Sequence, residues 1–281
     1  MPDRVAVVTD STAGLPPELA ARWGIRVVQI QLQVGSGIDD ENRFDRAALI
    51  HSLKSGEAVS TTPPDAGAFF WAYQDAVASG ATAIVSLHLS GKLSATVDAA
   101  REAAQQINVP VYVMDTGTAN MSMGFAAISA GRAAAAGAPA DRVAGAAEYR
   151  CSTSRELIYV DTLEYLRRGG RIGGAQAMLG TAFSIKPLLT LQDGEVAPLA
   201  KVPGTKRARA RLVDFAVRHA AGRAVDLAVS QFGHDEQVIW VAEQLRKRLP
   251  QAQEPLLVEA SMVLGAHLGP GSLGISVSPV S

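Results

Sequence analysis

The chain has 281 residues, with 26 Lys+Arg against 27 Asp+Glu for a formal net charge of -1, and 48% hydrophobic, 19% charged and 5% aromatic residues. That balance describes a folded protein with a sizeable core, without the basic excess that nucleic acid or an anionic membrane selects and without aromatics for base stacking. The single cysteine, Cys151, supplies neither an internal disulfide nor a zinc site by itself; no leader-like apolar run follows MPDRVAVVTD and no stretch approaches the ~20 apolar residues of a membrane span, so a cytoplasmic location is expected.

Residues 5–9 form an apolar β-run closed by Asp10-Ser11-Thr12, and residues 15–23, with Pro16 near their start, predict a helix. A strand over 25–32 and helices over 44–55 and 69–79 follow, the last after the turn-rich TTPPDAG. A strand over 83–87, a helix over 93–106, a strand over 109–114 and an Ala-rich helix over 123–136 come next. This alternation predicts a mainly parallel, doubly covered sheet, an N-terminal α/β domain spanning residues 1–150. The rhythm then changes, with strands expected over 157–160, 188–191, 196–199, 227–232, 256–259 and 275–277 and helices over 207–220 and 236–249. In PLLTLQDGEVAPL, Asp193-Gly194 between two extended runs is a hairpin signal. Residues 151–281 therefore read as an α+β domain, packed closely on the first because no Pro/Gly/Ser-rich linker separates them.

Several polar turns punctuate this pattern. AIVSLHLSGKLSATVDAAR (83–101) ends an apolar strand in Ser90-Gly91 before a helix, where Ser90 either caps the helix or helps its free N–H groups hold an anion. TDST (9–12), STTPPD (60–65), DTGTANMSMG (115–124) and GAHLGPGSLGI (265–275) are comparable. Three of the set fall beyond the carboxyl ends of predicted parallel strands, where open α/β sheets bind ligands. In LEYLRRGGRI, Gly169-Gly170 break a helix beside Arg171, which is either solvated or a partner for carboxylate or phosphate. The run KVPGTKRARAR (201–211), with Arg167 and Arg168, is either a solvated face or a docking surface.

Taken together, TDSTAGLP, TTPPD, LSGKLSA, the Asp115–Gly124 turn, LEYLRRGGRIGG and HLGPGSLGI resemble, in order and spacing over essentially the whole chain, the DegV family of bacterial fatty-acid-binding proteins. The resemblance implies a two-domain α/β protein enclosing one long-chain fatty acid between its domains. It further implies the acyl-carrying subunit of a two-component fatty acid kinase. The partner would be an ATP-dependent kinase subunit related to dihydroxyacetone kinases, bringing ATP and magnesium and phosphorylating the carboxylate to an acyl phosphate. The chain itself would then be a binding subunit and not an enzyme, with no cofactor of its own and with room for transient membrane contact. The residues carried over for the carboxylate are Ser90 and Gly91 of the family's SG-T turn, Thr61 and Thr62 of its TSQPS turn, Arg171 after the paired glycines, and His267 of its H-x-G-P-G turn. Lys92 stands where threonine is usual. Phe125, Ile128, Met178 and Phe183 are the candidate tail contacts, with Phe69, Phe70 and Met121 nearby but expected mostly in the core. A tail of ~15 methylenes contributes roughly 12 kcal/mol before ordering costs, against about 1.5–3 for each charge-assisted bond, so the tail sets affinity and the turns set orientation.

Three rival readings compete. LSGKLS fails as a P-loop because Ser86 occupies the first glycine position and Leu93 follows Lys92. A serine hydrolase using Ser90, His267 and Asp115 lacks a G-x-S-x-G elbow. A binding module for another amphipathic acid, with no kinase partner, remains the main alternative. The five histidines show no metal-ligand spacing, so no metal site is expected.

Overall fold

The computed structural model describes residues 4–180, 184–233 and 235–280. The chain opens with β1 (Val5–Asp10) and α1 (Pro17–Arg22), whose first position suits a proline because it needs no amide donor. Next come β2 (Ile25–Val28), β3 (Gln31–Val34), β4 (Gly37–Asp40), α2 (Arg46–Ser55), β5 (Val59–Thr62) and α3 (Ala66–Ala78). β6 (Ala83–His88), α4 (Thr96–Ala104), β7 (Val111–Asp115), α5 (Asn120–Ala135) and α6 (Ala140–Thr153) complete this half. Strands β2, β1, β6 and β7 pair in that order into a wholly parallel sheet. β4, β3 and β5 make a small antiparallel sheet beside it.

The strand expected over 25–32 is therefore two strands in different sheets. The Ile30 amide donates to Ser11 Oγ at 3.1 Å and the Ile30 carbonyl accepts from Glu41, so the ladder of β2 is broken there. The STTPPD turn likewise begins as β5, with Thr61 opposite Leu32 and Thr62 opposite Gln31.

Beyond residue 154 lie β8 (Arg155–Tyr159), α7 (Glu164–Arg168), β9 (Ile185–Gln192), β10 (Glu195–Pro203), α8 (Thr205–Ala220) and β11 (Val225–Phe232). α9 (Asp235–Arg248), β12 (Leu256–Glu259), α10 (Met262–Leu268) and β13 (Ser272–Pro279) follow. The six-stranded sheet runs β10-β9-β8-β13-β11-β12, antiparallel except for the β11–β12 pair. Asp193 (φ 51°) and Gly194 (φ 82°) both occupy the left-handed region, the geometry that an Asp-Gly hairpin turn requires. α6 and α10 carry little sequence signal: α6 buries mainly alanines with Val143, and α10 is only seven residues long.

α5 joins the two large sheets. It packs on β1 and β6 on one side and on β8 and β13 on the other. The largest apolar cluster accordingly draws on Val85 and Leu87 of one sheet and Ile158 and Leu189 of the other. In the parallel sheet a polar chain is sealed beneath α3: His88 Nδ1 lies 3.1 Å from Asp10 Oδ2, His88 Nε2 lies 2.7 Å from Ser86 Oγ, and the Tyr73 hydroxyl donates to Ser86. All four side chains are fully buried, so this Asp–His–Ser series reaches no substrate and serves to cross-link β1 and β6.

Gly124 sets the seat of α5, because a Cβ there would lie 2.6 Å from the Ala13 carbonyl oxygen. Gly124→Ala is expected to lower stability by about 1–3 kcal/mol through overpacking, read as a reduced urea midpoint with an unchanged m-value.

Candidate functional site

The loops that leave β6 and β7 face the six-stranded sheet across a cavity with about 880 Å³ of empty space, its mouth included. The cavity lies at the carboxyl ends of the parallel strands, where open α/β sheets bind ligands. Its walls are largely aliphatic: Leu89 and Leu93 follow β6, Ile158 comes from β8, Leu191 and Val196 flank the hairpin, and Leu264 comes from α10.

One polar grouping on this cavity unites three of the sequence-derived residues. Thr61 Oγ1 and His267 Nε2 are 2.8 Å apart, which ties β5 to α10. Arg171 donates from Nε to the Leu93 carbonyl at 3.0 Å and from Nη1 to the Gly169 carbonyl at 2.7 Å. Among the described residues it forms no ion pair, and it lines the cavity. Burial, with a smaller contribution from the Arg171 charge, pushes the His267 imidazole down to about 4, so it is neutral at pH 7. Both local glycine motifs serve this arrangement. A Cβ on Gly169 would collide with His267 Nδ1, and Gly269, at φ 83°, leaves no room for a side chain against the Tyr165 ring.

The other carboxylate candidates are placed differently. α4 starts at Thr96 and not near Leu93, so Ser90 caps no helix. Its buried hydroxyl donates to the Gly194 carbonyl at 2.7 Å and fastens the β9–β10 hairpin instead of facing the cavity. Gly91 is exposed and donates its amide to Asp115 Oδ2. Thr62 is exposed because successive side chains on β5 point to opposite faces, and Thr61 takes the inner one. Lys92 reaches Glu195 on the hairpin. The serine on the cavity wall is Ser94, one turn beyond Ser90, its hydroxyl 2.9 Å from that of Thr96. The motif LSGKLSA contains both serines, and the trajectory of its turn decides which one points inward.

The tail candidates need the same correction. Phe125 and Ile128 on α5, and Met178, are buried in the core between the sheets and do not line the cavity; Phe125 sits beneath the Arg150 guanidinium. Phe183 lies outside the described residues. The lining comes from aliphatic residues of strands, turns and short helices, whose signal in the chain is no different from that of ordinary core. Ser90, Asp115 and His267 are each bonded elsewhere, so the hydrolase trio does not assemble. In the basic run, Arg209 lies over the Tyr159 ring and Arg211 pairs with Asp214.

A second polar grouping lies on the wall made by the six-stranded sheet. Asn120 Nδ2 donates to Glu156 Oε1 at 2.8 Å and to Ser230 Oγ at 2.7 Å, while Glu156 Oε2 accepts from Ser122 and Ser276. Burial holds the Glu156 carboxyl up at about 7, against the opposing effect of those hydrogen bonds. Asn120 belongs to the DTGTANMSMG turn, but nothing in the sequence marked Glu156 or paired the two, which meet only because α5 lies across β8 and β11.

Among the described residues, no group of three His, Cys, Asp or Glu could hold a metal ion, and no helix is long and apolar enough to cross a membrane. The model described as "Uncharacterised protein, DegV family" matches residues 4–280. A DegV domain-containing protein of Streptomyces coelicolor is 42% identical over 279 residues, covering 99% of each chain. Among solved structures, a DegV family protein of Thermus thermophilus, described for its fatty acid binding, aligns with a TM-score of 0.93 at 32% identity, over 99% of this chain and 100% of that one. DegV of Bacillus subtilis, a fatty acid binding protein, aligns with a TM-score of 0.89 at 28% identity, over 99% of both chains. The mixed α/β architecture with its parallel sheet is thus that of the family.

The two buried titratable groups bias stability in opposite directions. His267, depressed from 6.5 to about 4, contributes stability that is present above pH 6.5 and lost as pH falls towards 4. Glu156, raised from 4.5 to about 7, contributes stability that is present below pH 4.5 and lost as pH rises through 7. Thermal unfolding between pH 4 and 7.5 should therefore show Glu156→Gln gaining on the wild type as pH rises, and His267→Gln gaining as pH falls.

Proposed function

The chain belongs to the DegV family, and we propose that it binds one long-chain fatty acid in the cavity between its parallel and six-stranded sheets. The carboxylate would sit against Arg171, Thr61 and His267, with Ser94 beside them, and the tail against the aliphatic walls. The observation that carries this reading is the Arg171 guanidinium. Two of its five N–H donors are spent on backbone carbonyls, leaving three, and no acid of the described chain neutralises it. Such a cation on an apolar cavity calls for an anionic group joined to an apolar body, which is the definition of a fatty acid. The fatty acid binding of the Thermus thermophilus and Bacillus subtilis proteins supports the same ligand class. A neutral His267 suits this role, since it can share a proton with Thr61 or with the carboxylate without adding a second buried charge.

The finer part of the proposal is that the chain presents this carboxylate to an ATP-dependent kinase subunit in the cytoplasm, which brings ATP and magnesium. The layout offers a route. An outer cleft lined by Gln33, Ser60, Tyr165, Arg168 and Gly169 shares Thr61 and His267 with the inner cavity, so the head group would lie just beneath a surface that a partner can reach. On this reading the chain binds and orients, and the phosphoryl chemistry belongs to the partner. A division into units near residue 150, with the ligand between them, belongs to the same proposal.

Native mass spectrometry of the freshly purified protein should show a C14–C18 acid bound, and exclusively polar ligands would overturn the assignment. Arg171→Met, which keeps the apolar stem, is expected to weaken fatty acid binding by at least about tenfold. With a fatty acid kinase subunit present, acyl phosphate trapped as the hydroxamate should fall in the same variant; an undiminished yield would remove Arg171 from the carboxylate site.

A further inference from the structure

The polar grouping around Glu156 is not needed to hold a carboxylate, and no hydrogen bond among the described residues links it to Thr61, Arg171 or His267. It nevertheless faces the same cavity through Asn120, Glu156, Ser230, Ser272 and Gly274. Both hydrogens of the Asn120 amide are engaged, on Glu156 and Ser230, but its buried Oδ1 has no partner. That oxygen is sealed against Gly14, where a Cβ would stand 2.8 Å from it, so the open polar groups of this wall are the others. Ser230 accepts from Asn120, and its own hydrogen reaches no acceptor among the described residues; the buried Ser272 hydroxyl makes no side-chain hydrogen bond among them either. Asn120 also holds φ 56°, a left-handed conformation uncommon outside glycine, which is what turns its amide onto this wall. Gly274 keeps the space open: a Cβ would lie 3.0 Å from both Asn120 Nδ2 and Glu156 Oε1 and would collide with the Ser230 hydroxyl.

We infer that this grouping is a second subsite, which binds a neutral hydroxyl carried on the acyl chain, so that the cavity favours hydroxylated long-chain acids over plain ones. The inference rests on the fatty acid reading above. An all-methylene chain would bury two serine hydroxyls against hydrocarbon, the costly way to leave polar atoms. A hydroxyl has one donor and two acceptor positions, matching Glu156 Oε1, which borders the space above Gly274 and accepts a side-chain bond only from Asn120 among the described residues, and the orphan donors Ser230 and Ser272. A second carboxylate suits the wall poorly, because no Lys or Arg bonds to this grouping and an ionised Glu156 repels it. An ammonium group would cost far more than a hydroxyl to bring out of water.

The test is displacement of a fluorescent fatty acid by palmitic acid and by a series of hydroxypalmitic acids with the hydroxyl moved along the chain. One position should bind roughly tenfold tighter than palmitic acid, the worth of a well-made hydrogen bond. In Ser230→Ala and Ser272→Ala, each folded by circular dichroism, the ratio of that isomer's affinity to palmitic acid's should fall towards one. If no isomer outbinds palmitic acid, or if the preference survives both variants, the inference fails while palmitic acid binding leaves the fatty acid reading intact. If none of these acids binds, that reading fails and the inference goes with it.

Discussion

A guanidinium without an acid beside it is the constraint on which the functional reading turns. Arg171 is held by the carbonyls of Leu93 and Gly169, which fix its direction but do not cancel its charge. Around it the chain supplies aliphatic walls and a neutral imidazole, and neither can substitute for an anion. Exposed on the surface, the same side chain would be solvated and uninformative. Set on a cavity, it is the ground for proposing a ligand with one negative end and an apolar remainder.

The same accounting separates sites from scaffolding elsewhere in the molecule. The Asp10–His88–Ser86–Tyr73 chain has the residue types of a catalytic relay, yet its members satisfy one another and are sealed beneath α3. Ser90, the serine before the glycine in LSGKLSA, is likewise satisfied by the hairpin carbonyl of Gly194 and acts as a clasp between the parallel sheet and the β9–β10 hairpin. That clasp has a functional consequence, because Leu191 and Val196, on either side of the hairpin turn, form part of the cavity wall. Closed polar groups hold the walls in place. Open ones, at Arg171 and at Ser230 and Ser272, face the space between them.

The position of the cavity follows from how the halves meet. α5 is buried against both large sheets, so the space beyond the carboxyl ends of β6 and β7 is roofed by the six-stranded sheet and not by solvent. α10 and β5 close one side, joined through His267 and Thr61. Glycines at 169, 269 and 274 permit these approaches where any side chain would intrude.

Local chemistry was enough to reveal much of this. Strand and helix alternation through the first half, the Asp193-Gly194 hairpin, and the motifs bearing Thr61, Arg171 and His267 were all legible in the chain, because backbone preference and motif spacing act over a few residues. What the sequence could not decide were directions and distant neighbours. Ser90 and Ser94 differ only in where one turn aims them, Thr61 and Thr62 only in which face of β5 they occupy, and Phe125 and Ile128 went to the core because α5 is wrapped on both sides. The Glu156 grouping joins residues up to 120 positions apart by direct hydrogen bonds, Ser276 with Glu156. Its members become neighbours only through sheet register and the docking of α5, which depend on the packing of the whole chain and leave no local mark.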